Sequence, residues 1–182
     1  MKRYLFSVFL LAAACTPVAA PPAETTVAPA VDTAVVAAPS SALSAAAADT
    51  LQRLKAAADV GDVADLIAIA AENPEFAFSF GDEPDFAAYL AAEYAAGRDP
   101  AASLSGILAL PLVESDEDTR PLYVWPYFYA LEAGEYSAET RADAARIVGA
   151  EAAAAISEDL GYLGPRAAID AEGRWVFFLT GD

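Results

Sequence analysis

The chain changes character near Ser44, and this change most limits what it can fold into. Downstream, apolar residues recur at three- and four-residue spacing: Leu51, Leu54 and Ala58, then Val63, Leu66, Ile67 and Ala70 after Gly61-Asp62. Such stripes belong to helices that bury one face, here a pair in hairpin arrangement. Upstream, between Cys15 and about Ser44, Pro, Ala, Thr and Val mix with neither helical nor alternating spacing. Pro17, Pro21, Pro22, Pro29 and Pro39 remove backbone donors and favour extended conformations. Residues 15–45 therefore read as a disordered tether, and residues 46–182 as one folded domain. A domain of about 150 residues buries about 68–70% of its unfolded surface, enough to fold without covalent help. It must do so, because with a single cysteine no internal disulfide can form.

Within the domain the punctuation is local. Phe76, Phe78 and Phe80 alternate with small residues before Gly81-Asp82, the period of a short half-buried strand. Asp85 can cap a helix with Phe86, Leu90 and Tyr94 along one face and Gly97 as its stop. Asp99-Pro100 opens another, with Leu104, Ile107 and Leu108 buried, because aspartate accepts from orphan N–H groups and proline lacks the donor that the first turn leaves unpaired. Ser137 caps a helix carrying Ala142, Ala145, Ile147 and Val148, and a further helix is expected to run through Ile156 to Leu160. Residues 166–182 read as a hairpin turning at Gly173, with Trp175, Phe177 and Leu179 on one face of its second strand. These patterns predict an α+β fold: a mostly helical single domain with a small antiparallel β-sheet that includes a C-terminal hairpin.

The amino terminus carries an address. Lys2-Arg3 precede an apolar run, Tyr4 to Leu11, which ends in Ala12-Ala13-Ala14 before Cys15. A basic start, an apolar stretch too short for a membrane span and small residues at the exit make residues 1–14 an expected export signal. The only cysteine stands at that exit, which resembles the lipobox of bacterial lipoproteins, whose cysteine becomes the acylated first residue of the mature chain. The family usually has leucine three residues before the cysteine, where this chain has Ala12. Ala12-Ala13-Ala14 also fits ordinary signal-peptide cleavage, so both routes stay open. In Gram-negative lipoproteins the residue after the cysteine influences sorting, and Thr16 in place of Asp implies the outer membrane, facing the periplasm. The blocks SFGDEPDFAAYL, YVWPYF and GRWVFFLTGD look like those of small uncharacterised proteobacterial envelope proteins, a resemblance that implies no activity.

Charge and residue inventory exclude more than they select. The chain has 10 basic and 27 acidic residues, and loss of Lys2 and Arg3 with the signal leaves 8 against 27, or −19. Such a chain repels phosphate backbones and lacks a basic cluster, so nucleic acid is not an expected partner. The hydrophobic content is 57%, with alanine its largest share, and no apolar run beyond the signal approaches the roughly 20 residues of a span. There is no histidine, which excludes Ser-His-Asp triads and His-ligated zinc, and a lone cysteine excludes thiolate metal sites. No GxxxxGK[ST] or strand-linked GxGxxG occurs, so neither cofactor nor metal is expected.

What remains is carboxylate chemistry and aromatic recognition. Asp82, Glu83 and Asp85, or Glu114, Asp116, Glu117 and Asp118, are the acids that would serve a glycosidase-like pair about 5–9.5 Å apart. The run from Glu114 to Asp118 lacks the alternating acids and central glycine of a calcium loop, and a solvated loop accounts for it. Residues 122–129 form the densest aromatic stretch, and Tyr123, Trp125, Tyr127 and Tyr129 would share one side of a strand, the first three being the candidate ligand-binding residues. They suit either the core or a glycan-stacking platform, while Trp175 and Phe177 suit the core. Pro126 requires that this strand be an edge or stop at Trp125. The expectation is a membrane-anchored, non-enzymatic envelope module whose partner is an envelope protein or peptidoglycan. The alternative is a carboxylate-dependent enzyme acting on envelope polysaccharide.

Overall fold

Helix α1, Ala45–Val60, starts where Ser44 turns its side chain onto the N–H of Ala47, and it ends at Gly61 with φ of 69°. The structure, a computed structural model, describes residues 43–79, 84–115, 121–156 and 161–181. The described residues lie in the compact unit that runs from Val36 to Asp182. Gly61 adopts the left-handed conformation that lets the chain reverse within two residues, and Asp62 then caps α2, Val63–Ala71. Leu54, Ala58, Leu66 and Ala70 are buried, so the helical stripes face the interior.

Helices α3, Phe86–Ala95, and α4, Pro100–Leu108, begin at their aspartate caps, with Asp85 accepting from Ala88 and Asp99 from Ala102. The α4 stripe is buried at Leu104, Ile107 and Leu108. On α3 the expected face is corrected at its last turn. Phe86 and Leu90 are buried, but Tyr94 is 39% exposed, and Tyr89 and Glu93 take the inner positions. The stripe steps by three residues from Leu90 to Glu93, not by four, because the exposed Arg98 reaches back to bond the Glu93 carboxylate and the Thr180 hydroxyl bonds it as well.

The sheet has four antiparallel strands in the order β1, Val113–Ser115; β2, Leu122–Trp125; β3, Arg166–Asp170; and β4, Trp175–Leu179. All five residues of β3 are buried, since α1 and α4 pack on it and β2 and β4 flank it. Ala167 and Ala168 are nearly inaccessible, and Ala167, whose small side chain lies in the cluster shared with α1–α4, lets those helices approach. The β3–β4 hairpin turns through Gly173, as expected, with an irregularity in its register. Ala168 pairs with Phe177 but Ile169 pairs with Trp175, which leaves Val176 opposite no residue of β3. An extra residue shifts the alternation of everything beyond it. Trp175 and Phe178 are therefore buried, whereas Phe177, expected inside, is half-buried.

The Val176 carbonyl instead accepts from the N–H of Ala77, and Ala77 accepts from Phe178, forming a parallel bridge on the outer side of β4. The expected strand at Phe76 to Phe80 is thus one bridge at Ala77, and Phe80 lies outside the described residues. The bridge presses Phe76 onto Trp175 with ring centroids 4.5 Å apart, and Phe86 meets the same indole edge-on at 5.6 Å.

Helix α5, Ala138–Val148, is capped by Ser137, and α6 spans Ala150–Ala155. The expectation of a helix through Ile156 to Leu160 is corrected at Ile156. Ile156 is already extended, with ψ of 106°, and its carbonyl accepts from the Arg141 guanidinium at 3.1 Å; residues 157–160 lie outside the described residues. On α5, Thr140 and Ala144 are buried, Ala145, Ile147 and Val148 are half-buried, and Ala142 is exposed. A second apolar cluster forms here from Phe128, Tyr136, Ala144, Ala153, Ile156 and Tyr162, beside the larger one between the sheet and α1–α4.

Candidate functional site

The aromatic residues singled out by sequence divide between the two clusters instead of forming one surface. Strand β2 stops at Trp125, the Trp125–Pro126 bond is cis, and Tyr127 opens a 3₁₀ turn that runs to Ala130. Alternation therefore ends before Tyr127, and it does not share the side of Tyr123 and Trp125. Because β2 lies between β1 and β3 it is not an edge, and its Tyr123 and Trp125 belong to the apolar cluster shared with α1–α4. Trp125 is 2% exposed and Tyr123 is 6% exposed, with the Tyr123 hydroxyl accepting from the N–H of Ser44 at 3.2 Å. Neither presents a ring face on which a sugar can stack. Tyr127 is half-buried, packs edge-on against Phe128 at 5.2 Å, and turns its hydroxyl to Asp143 at 3.2 Å and Thr140 at 3.4 Å. Burial pushes its phenol up, so it stays protonated at neutral pH.

The acids expected to pair do not form a described site. Asp85 is spent as the α3 cap and Glu114 is exposed on β1, while Asp82, Glu83, Asp116, Glu117 and Asp118 lie outside the described residues. Among the described residues two acids are buried, and sequence reasoning missed both. Asp170, 2% exposed at the end of β3, accepts from the Arg174 backbone N–H at 2.8 Å and from its guanidinium at 2.6 Å. Its signal was the four-residue spacing to Arg174 across the turn. Glu93, 6% exposed, accepts from the Arg98 guanidinium at 2.7 and 2.5 Å and from the Thr180 hydroxyl at 3.1 Å. Thr180 in turn bonds the Tyr89 hydroxyl. Hydrogen bonds from Arg98 hold the Glu93 carboxyl below the usual carboxylate range against the opposing effect of burial, with Thr180 adding to the same direction. An acid ionised and bonded in this way fastens the end of β4 to α3, and its depressed pKa makes it a poor general acid at neutral pH.

A concave feature among the described residues lies beside this network. Gly149, with φ of 84°, separates α5 from α6 and bends the chain so that Val148, Ala152 and Ala155 form one wall. Ile156, Leu163 and Pro165 supply further hydrocarbon surface, and Thr180 and Gly181 close one side, enclosing a groove of ≈ 350 Å³. The opposite wall is held in place by close packing. A Cβ at Gly164 would lie 2.5 Å from the Tyr162 hydroxyl and 2.6 Å from Val148 Cγ1. Tyr162 packs edge-on to Phe128 at 4.8 Å and donates to the Pro165 carbonyl at 3.0 Å. Burial raises its phenol, which remains a donor. Leu163 stands at the rim, 46% exposed. Since the Thr180 hydroxyl is engaged by Glu93 and Tyr89, the groove suits apolar groups by shape and desolvation, not proton transfer.

Among the described residues no three or more acids or cysteines converge where they could hold a metal ion, and no helix is long and apolar enough to cross a membrane. Comparison with family models, with curated proteins and with solved structures returns no match.

Proposed function

We propose that this chain is a membrane-anchored bacterial envelope lipoprotein, sorted to the outer membrane and facing the periplasm, whose folded domain is a non-enzymatic binding or structural module. The observation that carries the reading is the order Lys2-Arg3, apolar Tyr4 to Leu11, Ala12-Ala13-Ala14 and the single Cys15. Acylation at Cys15 anchors the chain, because each buried methylene contributes about 0.8 kcal/mol and two or more chains hold a protein stably on a bilayer. The proline-containing residues 15–45 then carry the domain away from the membrane. The engaged states of Glu93, Asp170 and Thr180 support a module that binds or bridges over one that turns over substrate.

Metabolic labelling with an alkynyl fatty acid in a bacterial host tests the anchor, comparing wild type with Cys15→Ser. The expected result is label and membrane association in the wild type and neither in the variant; equal labelling would sink the proposal. The partner is an envelope protein or peptidoglycan. Pelleting of the lipid-free Cys15→Ser chain with purified sacculi selects the glycan, and its retention in the supernatant selects protein.

A further inference from the structure

We draw no further inference here: the strongest candidate, the apolar groove between α5, α6 and the segment from Tyr162 to Pro165, is an unpartnered hydrocarbon face, and nothing in the structure shows what covers it.

Discussion

Ser44 Oγ donates to the carbonyl of Ala171 at 2.7 Å while accepting from the N–H of Ala47 at 3.0 Å. One hydroxyl thus begins the first helix and ties it to the turn of the last hairpin, 127 residues away in sequence. Replacing Ser44 with alanine removes a cap worth about 0.5–2 kcal/mol and a tertiary hydrogen bond worth about 1 kcal/mol. We expect Ser44→Ala to lose about 2 kcal/mol, read as a lower urea midpoint at unchanged slope. Ser44→Asp keeps the acceptor for Ala47 but loses the donor to Ala171, so it should fall between the two. Wild-type stability in Ser44→Ala would show that the helix start needs neither bond.

Gly61 and Gly173 both have positive φ, 69° and 84°, but their surroundings differ. A Cβ at Gly61 would meet nothing within 4 Å, whereas at Gly173 it would stand 2.8 Å from the backbone of Ala46. Gly61→Ala should therefore cost only the left-handed penalty of about 1–2 kcal/mol. Gly173→Ala adds a backbone clash and must push α1 away from the turn, which also strains the bond from Thr50 Oγ1 to the Gly173 carbonyl, 2.6 Å. Thermal unfolding of the pair decides this: Gly173→Ala should have the clearly lower midpoint, and equal midpoints would mean that α1 is not seated on the turn.

Trp125 fills the cluster between sheet and helices, and its loss should be felt as lost stability. Truncating a buried tryptophan to alanine costs about 3–5 kcal/mol, a large part of the about 5–15 kcal/mol by which domains are stable. Trp125→Ala should unfold at markedly lower urea than wild type, while Leu163→Ser, at the groove rim, should stay within about 1 kcal/mol. Any binding lost in Trp125→Ala would then report on the fold, and Leu163→Ser is the variant that can report on the surface. Unchanged stability of Trp125→Ala would contradict its place in the core.

Helix starts were legible in the sequence because their causes are local. Asp85, Asp99 and Ser137 each accept from an N–H three residues on, and no distant residue is needed to read that. The turn at Gly173 was legible for the same reason. Facing was harder. Whether Tyr94 or Glu93 points inward depends on Arg98 and on Thr180, which is 87 residues further along the chain from Glu93. Likewise, the half-buried state of Phe177 follows from a register step that only the pairing with β3 and the bridge to Ala77 define. Strand β1 was hidden because its three residues include Glu114 at the start of an acidic run that reads as a loop. The groove was invisible, being assembled from α5, α6, residues 161–165 and the end of β4.

Glu93 should give the domain an acid-sensitive fastening between α3 and the end of β4. Its folded pKa lies below the usual carboxylate value of about 4.3, so the unfolded chain takes up this proton at higher pH than the folded one does. The stability it contributes is therefore complete above that unfolded value and is lost as pH falls through the lower, folded one. Glu93→Gln retains much of the shape but cannot titrate, and its amide meets Arg98 without a charge. At neutral pH the variant should be less stable than wild type, with the gap narrowing as pH falls below about 4. Urea unfolding of both proteins along a series from pH 7 to about pH 3 measures that gap. A gap constant across the series would show that the ionised carboxylate of Glu93 contributes no pH-dependent stability, and the bonds to Arg98 and Thr180 would then act only as packing.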